Sequence, residues 1–278
     1  MRAWLAESTA GSSADHSAAM LARLGNLDVV ELERRLCDEG YAVVDGALGQ
    51  GAVRAVHDEI ARLDRRGRLR IGRVLHGAEL STNSEVRSDR IAFLSAGGAT
   101  PSGASGASSS SGPPAVEAEG PLSAYLLGAE ALRGRLGDAA RLIERVGGGL
   151  DGCTAMCAVY PGGGSRYAKH RDALAYRAGR KLTVILYLNS GWESAHGGEL
   201  RLWPAPTQEG AEREPVTVSP LADRLLLFVS SLEHEVLPAW KPRSVLPRTL
   251  PLPQQPSHST SLRRAHATLH SSASSRHG

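Results

Sequence analysis

The sequence has 278 residues, 41% hydrophobic and 22% charged, which supplies enough apolar material for one enzyme-sized core. Its net charge is +3, yet from Ala239 to the end there are six basic residues and no acids, leaving −3 on the rest; the body is no basic nucleic-acid binder, and the tail reads as a solvated segment. Three cysteines without a CxxC exclude a disulfide framework and a Cys-based zinc site, and no apolar stretch has the length of a signal-peptide core or a membrane span, which predicts a cytoplasmic or nuclear protein with no membrane partner.

Residues 1–26 read as a flexible leader. In DVVELERRLCDEG, Val29, Leu32 and Leu36 fall at helical spacing and Gly40 is a stop signal, predicting a helix over 28–36. YAVVDGAL (41–48) reads as a short strand, and Val53, Val56, Ile60 and Leu63 mark one face of a second helix over 50–65. These form a helical cap for a larger sheet. Residues 96–120 are a Gly/Ser/Ala/Pro tract that cannot bury a core, predicting a flexible insertion inside one domain spanning 27–245. A helical run follows from Leu122. From Cys153 the pattern changes to TAMCAVY, KLTVILYLN, GELRLWP, EPVTVSP and DRLLLFVS, with no helix between, which predicts a mainly β, α+β domain built on an antiparallel sheet pair or barrel. Residues 246–278 are basic, low in complexity and interrupted by proline, predicting no regular structure.

His170 and Asp172 flank Arg171, so in an extended chain both side chains face one way. His234 follows the apolar strand DRLLLFVS. Two histidines and one carboxylate on neighbouring strands make a facial triad, a donor set that leaves positions open and suits non-haem Fe(II). Taken alone, HxD is also an ordinary polar sheet rim, and a cupin-like barrel holding another metal explains the three ligands too. Arg243, nine residues after His234, fits neither of those readings. GGGLDG (147–152) has the GxGxxG spacing but follows a helix and enters a strand, the reverse of the dinucleotide-binding order. Trp192, Trp203 and Trp240 read as bulky cover for a small β-domain.

The stretches AMCAVYPGGGSRYAKHRD, LTVILYLNSGW, GGELRLWP and DRLLLFVSSLEHEVLPAWKPR resemble the prolyl 4-hydroxylase branch of the 2-oxoglutarate/Fe(II) dioxygenases, and within it the intracellular oxygen-sensing, HIF-type enzymes. GYAVVDGALG and VRSDRIAFL are similar to that family's N-terminal support, so the resemblance covers roughly residues 28–95 and 120–243. It implies a double-stranded β-helix (jelly-roll) core with supporting helices. It also implies hydroxylation of a peptidyl proline coupled to oxidative decarboxylation of 2-oxoglutarate to succinate and CO2, with O2 as second cosubstrate and L-ascorbate as reductant. Carried over position by position, His170, Asp172 and His234 are the iron ligands. Arg243 and Tyr187 hold the distal carboxylate of 2-oxoglutarate, Tyr160 and Thr183 line its pocket, and Arg87, Asp89 and Arg180 lie by the groove for a proline-containing protein or peptide. A monomer is implied.

After Arg243 the text departs from the family pattern, reading Ser-Val-Leu-Pro247 and then PLPQQP. Proline removes a ladder donor and is unsuited to a central strand, which predicts a closing strand cut to a stub. That opens an alternative reading, a catalytically impaired binding module on the same fold.

Overall fold

The computed structural model describes residues 12–76, 79–96, 115–150, 153–173, 180–206 and 210–250. The chain opens with helix α1 (Ser13–Gly25), where Ser12 and Asp15 cap each other reciprocally. This corrects the expectation of a leader through residue 26. The helix buries only Met20 and Leu24, one turn apart, too narrow a stripe to stand out in an Ala/Ser-rich sequence. Leu24 seats against Gly128 of a later helix, where a Cβ would come within 2.7 Å of Leu24 Cδ1.

Helix α2 (Val29–Asp38) starts at Asp28, whose carboxylate accepts from the Glu31 amide, and buries Leu32 and Leu36. Strand β1 (Tyr41–Asp45) and helix α3 (Gln50–Arg65) follow, α3 burying Val53, Val56 and Ile60 as its spacing predicts. Short strands β2 (Arg70–Ile71), β3 (Val74–His76) and β4 (Glu79–Ser81) lead to β5 (Arg90–Ala96). Residues 97–114 lie outside the described residues, but the ends of the expected insertion are ordered: β6 (Val116–Ala118) turns Val116 and Ala118 inward, and helix α4 (Gly120–Gly137) begins at once. Its first amides are capped from another helix, Glu119 and Leu122 N–H donating to the Glu59 carboxylate at 3.1 Å each. Helix α5 (Ala140–Val146) completes the helical layer.

The remaining strands are β7 (Thr154–Tyr160), β8 (Ser165–His170), β9 (Leu182–Tyr187), β10 (Leu200–Trp203), β11 (Val216–Val218), β12 (Arg224–Val229), β13 (Glu233–Ala239) and β14 (Arg243–Leu250). They form a major sheet in the order β1-β12-β9-β14-β7-β5-β2, with β6 beside β5, and a minor sheet β11-β10-β13-β8. Pairing is antiparallel throughout except between β5 and β6, the arrangement of a jelly-roll. β9 and β12, inside the major sheet, are almost wholly apolar and buried, as strands covered on both faces must be.

β14 overturns the expected stub. It lies between β7 and β9 and reaches Leu250. Its ladder to β9 is unbroken from Val245 to Leu250, whereas the ladder to β7 lapses at Leu246 and Pro247 and resumes at Arg248. A proline removes one donor, and the loss falls on one of two neighbours, so the strand survives. Residues 251–278 lie outside the described residues. Among the described residues no helix is long and apolar enough to cross a membrane.

Candidate metal centre

β8 ends at His170, and its antiparallel pairing with β13 sets His234 directly opposite. The two imidazoles stand 4.2 Å apart, centroid to centroid. Asp172, in the turn just past β8, reaches back between them, with Oδ1 3.8 Å from His170 Nε2 and Oδ2 3.8 Å from His234 Nε2. One ligand atom from each residue lies within 4.8 Å of the other two.

Each histidine is tied at its other nitrogen. His170 Nδ1 lies 2.8 Å from the Ala168 carbonyl and His234 Nδ1 3.2 Å from the Leu232 carbonyl. A carbonyl only accepts, so both Nδ1 atoms carry the proton and both Nε2 lone pairs face Asp172, the tautomer a metal requires. Burial, then the neighbouring His234, pushes the His170 pKa down to about 4 against the pull of Asp172. For Asp172, burial favours the neutral acid, but His234, His170, the Thr183 hydroxyl and Arg180 outweigh it and hold the carboxyl below its ordinary range. A neutral His170 and an ionised Asp172 are the states that bind a divalent cation.

Thr183, on β9, donates to Asp172 Oδ2 at 2.8 Å, so it supports the carboxylate directly. Arg180 Nη1 is 3.9 Å from Asp172 Oδ1, which brings it to the rim of the same cluster. Arg87 and Asp89 are almost fully buried and grip each other at two points, Nε to Oδ1 at 2.6 Å and Nη2 to Oδ2 at 2.9 Å. The Arg87 guanidinium lies 4.7 Å from the Tyr167 ring centroid, and Tyr167 stacks on His170. The pair is therefore a buried brace behind the Tyr167–His170 stack.

A second cluster forms where β14 crosses β7. Arg243 pairs in register with Tyr160, its guanidinium 4.3 Å from that ring centroid, and Val245 pairs with Tyr187 on β9. Arg243 also donates to the Gly198 carbonyl. Gly198 has φ +80°, and a Cβ there would fall 2.8 Å from Arg243 Cδ, so only glycine fits beside this side chain. Among the described residues four buried side-chain nitrogen or oxygen atoms lack a hydrogen-bond partner, and two of them are Arg243 Nε and the Tyr187 hydroxyl. Burial pushes the Tyr187 phenol up to about 12, so it stays a donor. A buried guanidinium and a phenol O–H with bonds to spare suit an incoming carboxylate.

Thr183 and Tyr187 lie four residues apart on one face of β9, so a single strand joins the two clusters. Two contributors carry little signal in the sequence: Tyr167, three positions before His170, and Ser230, the polar end of DRLLLFVS.

The profile of the 2OG-Fe(II) oxygenase superfamily matches residues 155–248, a stretch running from β7 into β14 and containing the His170–Asp172–His234 cluster and Arg243. The chain belongs to the 2OG-Fe(II) oxygenase superfamily. Among oxygenases of this superfamily, it is 31% identical over 231 residues to a hypoxia-inducible factor prolyl hydroxylase of Caenorhabditis elegans, an overlap covering 76% of this chain and 26% of that one. The chain thus spans about a quarter of that relative's length. A prolyl-4-hydroxylase of Pseudomonas putida superposes with a TM-score of 0.60 at 25% identity, over 80% of this chain and 98% of that one. A prolyl hydroxylase of Trichoplax adhaerens, solved with a hypoxia inducible factor oxygen degradation domain peptide fragment, gives a TM-score of 0.59 at 26% identity, over 87% and 94%. The superfamily implies Fe(II), 2-oxoglutarate and O2, and the donor set of both clusters fits the first two.

Proposed function

We propose that this oxygenase hydroxylates a prolyl residue of a protein or peptide, with Fe(II) held by His170, Asp172 and His234 and 2-oxoglutarate anchored by Arg243 and Tyr187. The observation that carries the proposal is the pairing of two clusters on one strand. One offers three convergent metal donors, the other a buried cation and phenol with unfilled bonds.

When bound, Fe(II), 2-oxoglutarate and O2 supply an oxidative decarboxylation to succinate and CO2 that drives insertion of one oxygen atom into a C–H bond. The chain's residues do the rest. His170 and His234 present Nε2 lone pairs fixed by their Nδ1–carbonyl bonds, and Asp172 would add the one anionic donor to a divalent metal, leaving a net positive site that would suit an anionic chelator. Arg243 offers a two-point fork to the distal carboxylate, Tyr187 adds a neutral donor, and the Tyr160 ring keeps the guanidinium in place. Phe228, edge-on to His234 at 4.7 Å, walls the site against water. Arg180, at the rim beside Asp172, faces the incoming peptide, and the Arg87–Asp89 brace supports the groove wall.

The named relatives support proline as the target. Use as an oxygen sensor, L-ascorbate as reductant, a cytoplasmic or nuclear location and a monomeric state extend the same reading. The reason for an impaired module was a missing strand, and β14 is complete through Leu250.

The test is succinate release from 2-oxoglutarate by anaerobically Fe(II)-loaded protein, with and without proline-containing peptides. Peptide-stimulated turnover with a 16 Da gain on proline is expected. Turnover unaffected by His170→Ala, or hydroxylation confined to another residue type, would refute the assignment.

A further inference from the structure

Asp172 has no strand of its own. It lies in the turn after β8, ahead of residues 174–179, which fall outside the described residues. Its carboxylate orientation must therefore come from contacts, and these converge on Ser230, a completely buried residue following β12. The Ala173 N–H donates to the Ser230 carbonyl at 2.9 Å, and the Ser230 N–H donates to the Lys181 carbonyl at 3.0 Å, so Ser230 grips the chain on both sides of the turn. Its hydroxyl lies 2.8 Å from Thr183 Oγ1. Thr183 has one hydroxyl proton, and Asp172, an ionised acceptor at 2.8 Å, takes it. In that bond, then, Ser230 is the donor and Thr183 the acceptor.

We propose that Ser230 is a positioning residue for the metal ligand Asp172, acting through a one-way hydrogen-bond relay from Ser230 to Thr183 to Asp172; this rests on the reading of Asp172 as a ligand. The relay removes the alternative in which Thr183 turns its proton to another acceptor, and the β-branched threonine is already stiff about χ1. The carboxylate is thereby locked with its two oxygens toward the two histidines. Ser230 also stands four residues before His234, so one residue ties the chain of the carboxylate to the chain of the second histidine.

The test titrates the full chain with Co(II) and Fe(II) anaerobically, following the visible ligand-field bands of the cobalt form and the metal Kd, alongside the 2-oxoglutarate KM at saturating iron. Ser230→Ala should weaken metal binding about tenfold and alter the cobalt bands, with the 2-oxoglutarate KM within about twofold of the parent. Thr183→Val should weaken it at least as much, and Thr183→Ser should restore it. The double variant should be no weaker than Thr183→Val alone, because Ser230 acts through Thr183. Additive losses, or metal binding insensitive to Ser230→Ala, overturn the relay; should Ser230→Ala fail to fold, the Thr183→Val and Thr183→Ser pair decides, and a Thr183→Ser that does not restore binding overturns it. His170→Ala separates the two claims. If it abolishes metal binding while the relay variants do nothing, only the relay falls, and if the parent binds no metal, both fall.

Discussion

Tyr167 lies almost flat on His170, ring centroids 3.7 Å apart and planes 20° from parallel. The Arg87 guanidinium, fixed by Asp89, lies 4.7 Å from the centroid of the same ring, so a buried ion pair stands two contacts from His170. Asp89→Ala leaves that cation buried and unpaired. The expected loss is about 3–5 kcal/mol, measured by urea unfolding. Replacing both together, Arg87→Met with Asp89→Leu, should recover most of it, whereas an equal loss in the double variant would mean that the pair does more than fill space.

Arg243→Ala removes the cation that pairs in register with Tyr160. The 2-oxoglutarate requirement should rise by roughly a hundredfold or more, since a charge-assisted hydrogen bond contributes about 1.5–3 kcal/mol and two are lost. Metal affinity in the absence of cosubstrate should stay within about twofold. Arg243→Lys should fall between, lacking the fork, and Tyr187→Phe should cost about tenfold. Cosubstrate titration of the metal-loaded protein, followed by tryptophan fluorescence, reads all three.

Arg248 is a buried arginine on β14, about 3% exposed, donating to the Leu126 carbonyl and 3.3 Å from Glu130, with its Nε unpartnered. Arg248→Met removes the orphaned donor and the charge while keeping volume, so thermal unfolding should show stability unchanged or raised by about 1–4 kcal/mol. Arg248→Ala leaves a void and should lower it. A chain ending at Arg243 loses the strand between β7 and β9 and should show no cooperative transition.

Glu59 gives a pH signature. Burial pushes its carboxyl above the ordinary 4.5, more than the Glu119 and Leu122 amides pull it down. The folded state therefore holds this proton more tightly than the unfolded chain does. Its contribution to stability is greatest below pH 4.5 and fades as pH rises through the higher folded value. Glu59→Gln keeps an acceptor for helix α4 and cannot ionise, so its melting temperature should gain on the parent as pH rises from about 4 to about 7. A difference that is flat with pH would contradict this.

The convergence of His170, Asp172 and His234 was legible because strand chemistry leaves few choices. Alternation along β8 and the position of His234 behind an apolar strand suffice to bring them together, and β13 sets His234 against His170 in register. Helices 28–36 and 50–65 were likewise visible from wide apolar faces and match Val29–Asp38 and Gln50–Arg65 closely. What escaped was decided by partners. α1 hides because two buried residues make no periodic signal, and β13 hides because EHEVLPA opens on two glutamates around His234 and carries Pro238, so that only its pairing with β10 and β8 marks it as a strand. β14 was misread for a different reason. Pro247 and Arg248 are poor strand residues by local preference, and only two flanking ladders override that. Ser230 could not be found from its own identity, since its role lies in three bonds to residues distant in sequence.

The parallel pairing of β5 with β6 bears on how this chain can change its length. Leu94 pairs with Val116 and Ala96 with Ala118, so the chain that leaves Ala96 must double back and start again level with Leu94. A return path has a minimum length, set by the geometry of its ends, and no sharp maximum, because each doubling of a flexible loop costs only about 0.6 kcal/mol. Insertions between Ala96 and Val116 are therefore expected to leave the register of β5 with β7, the strand that carries Tyr160, undisturbed.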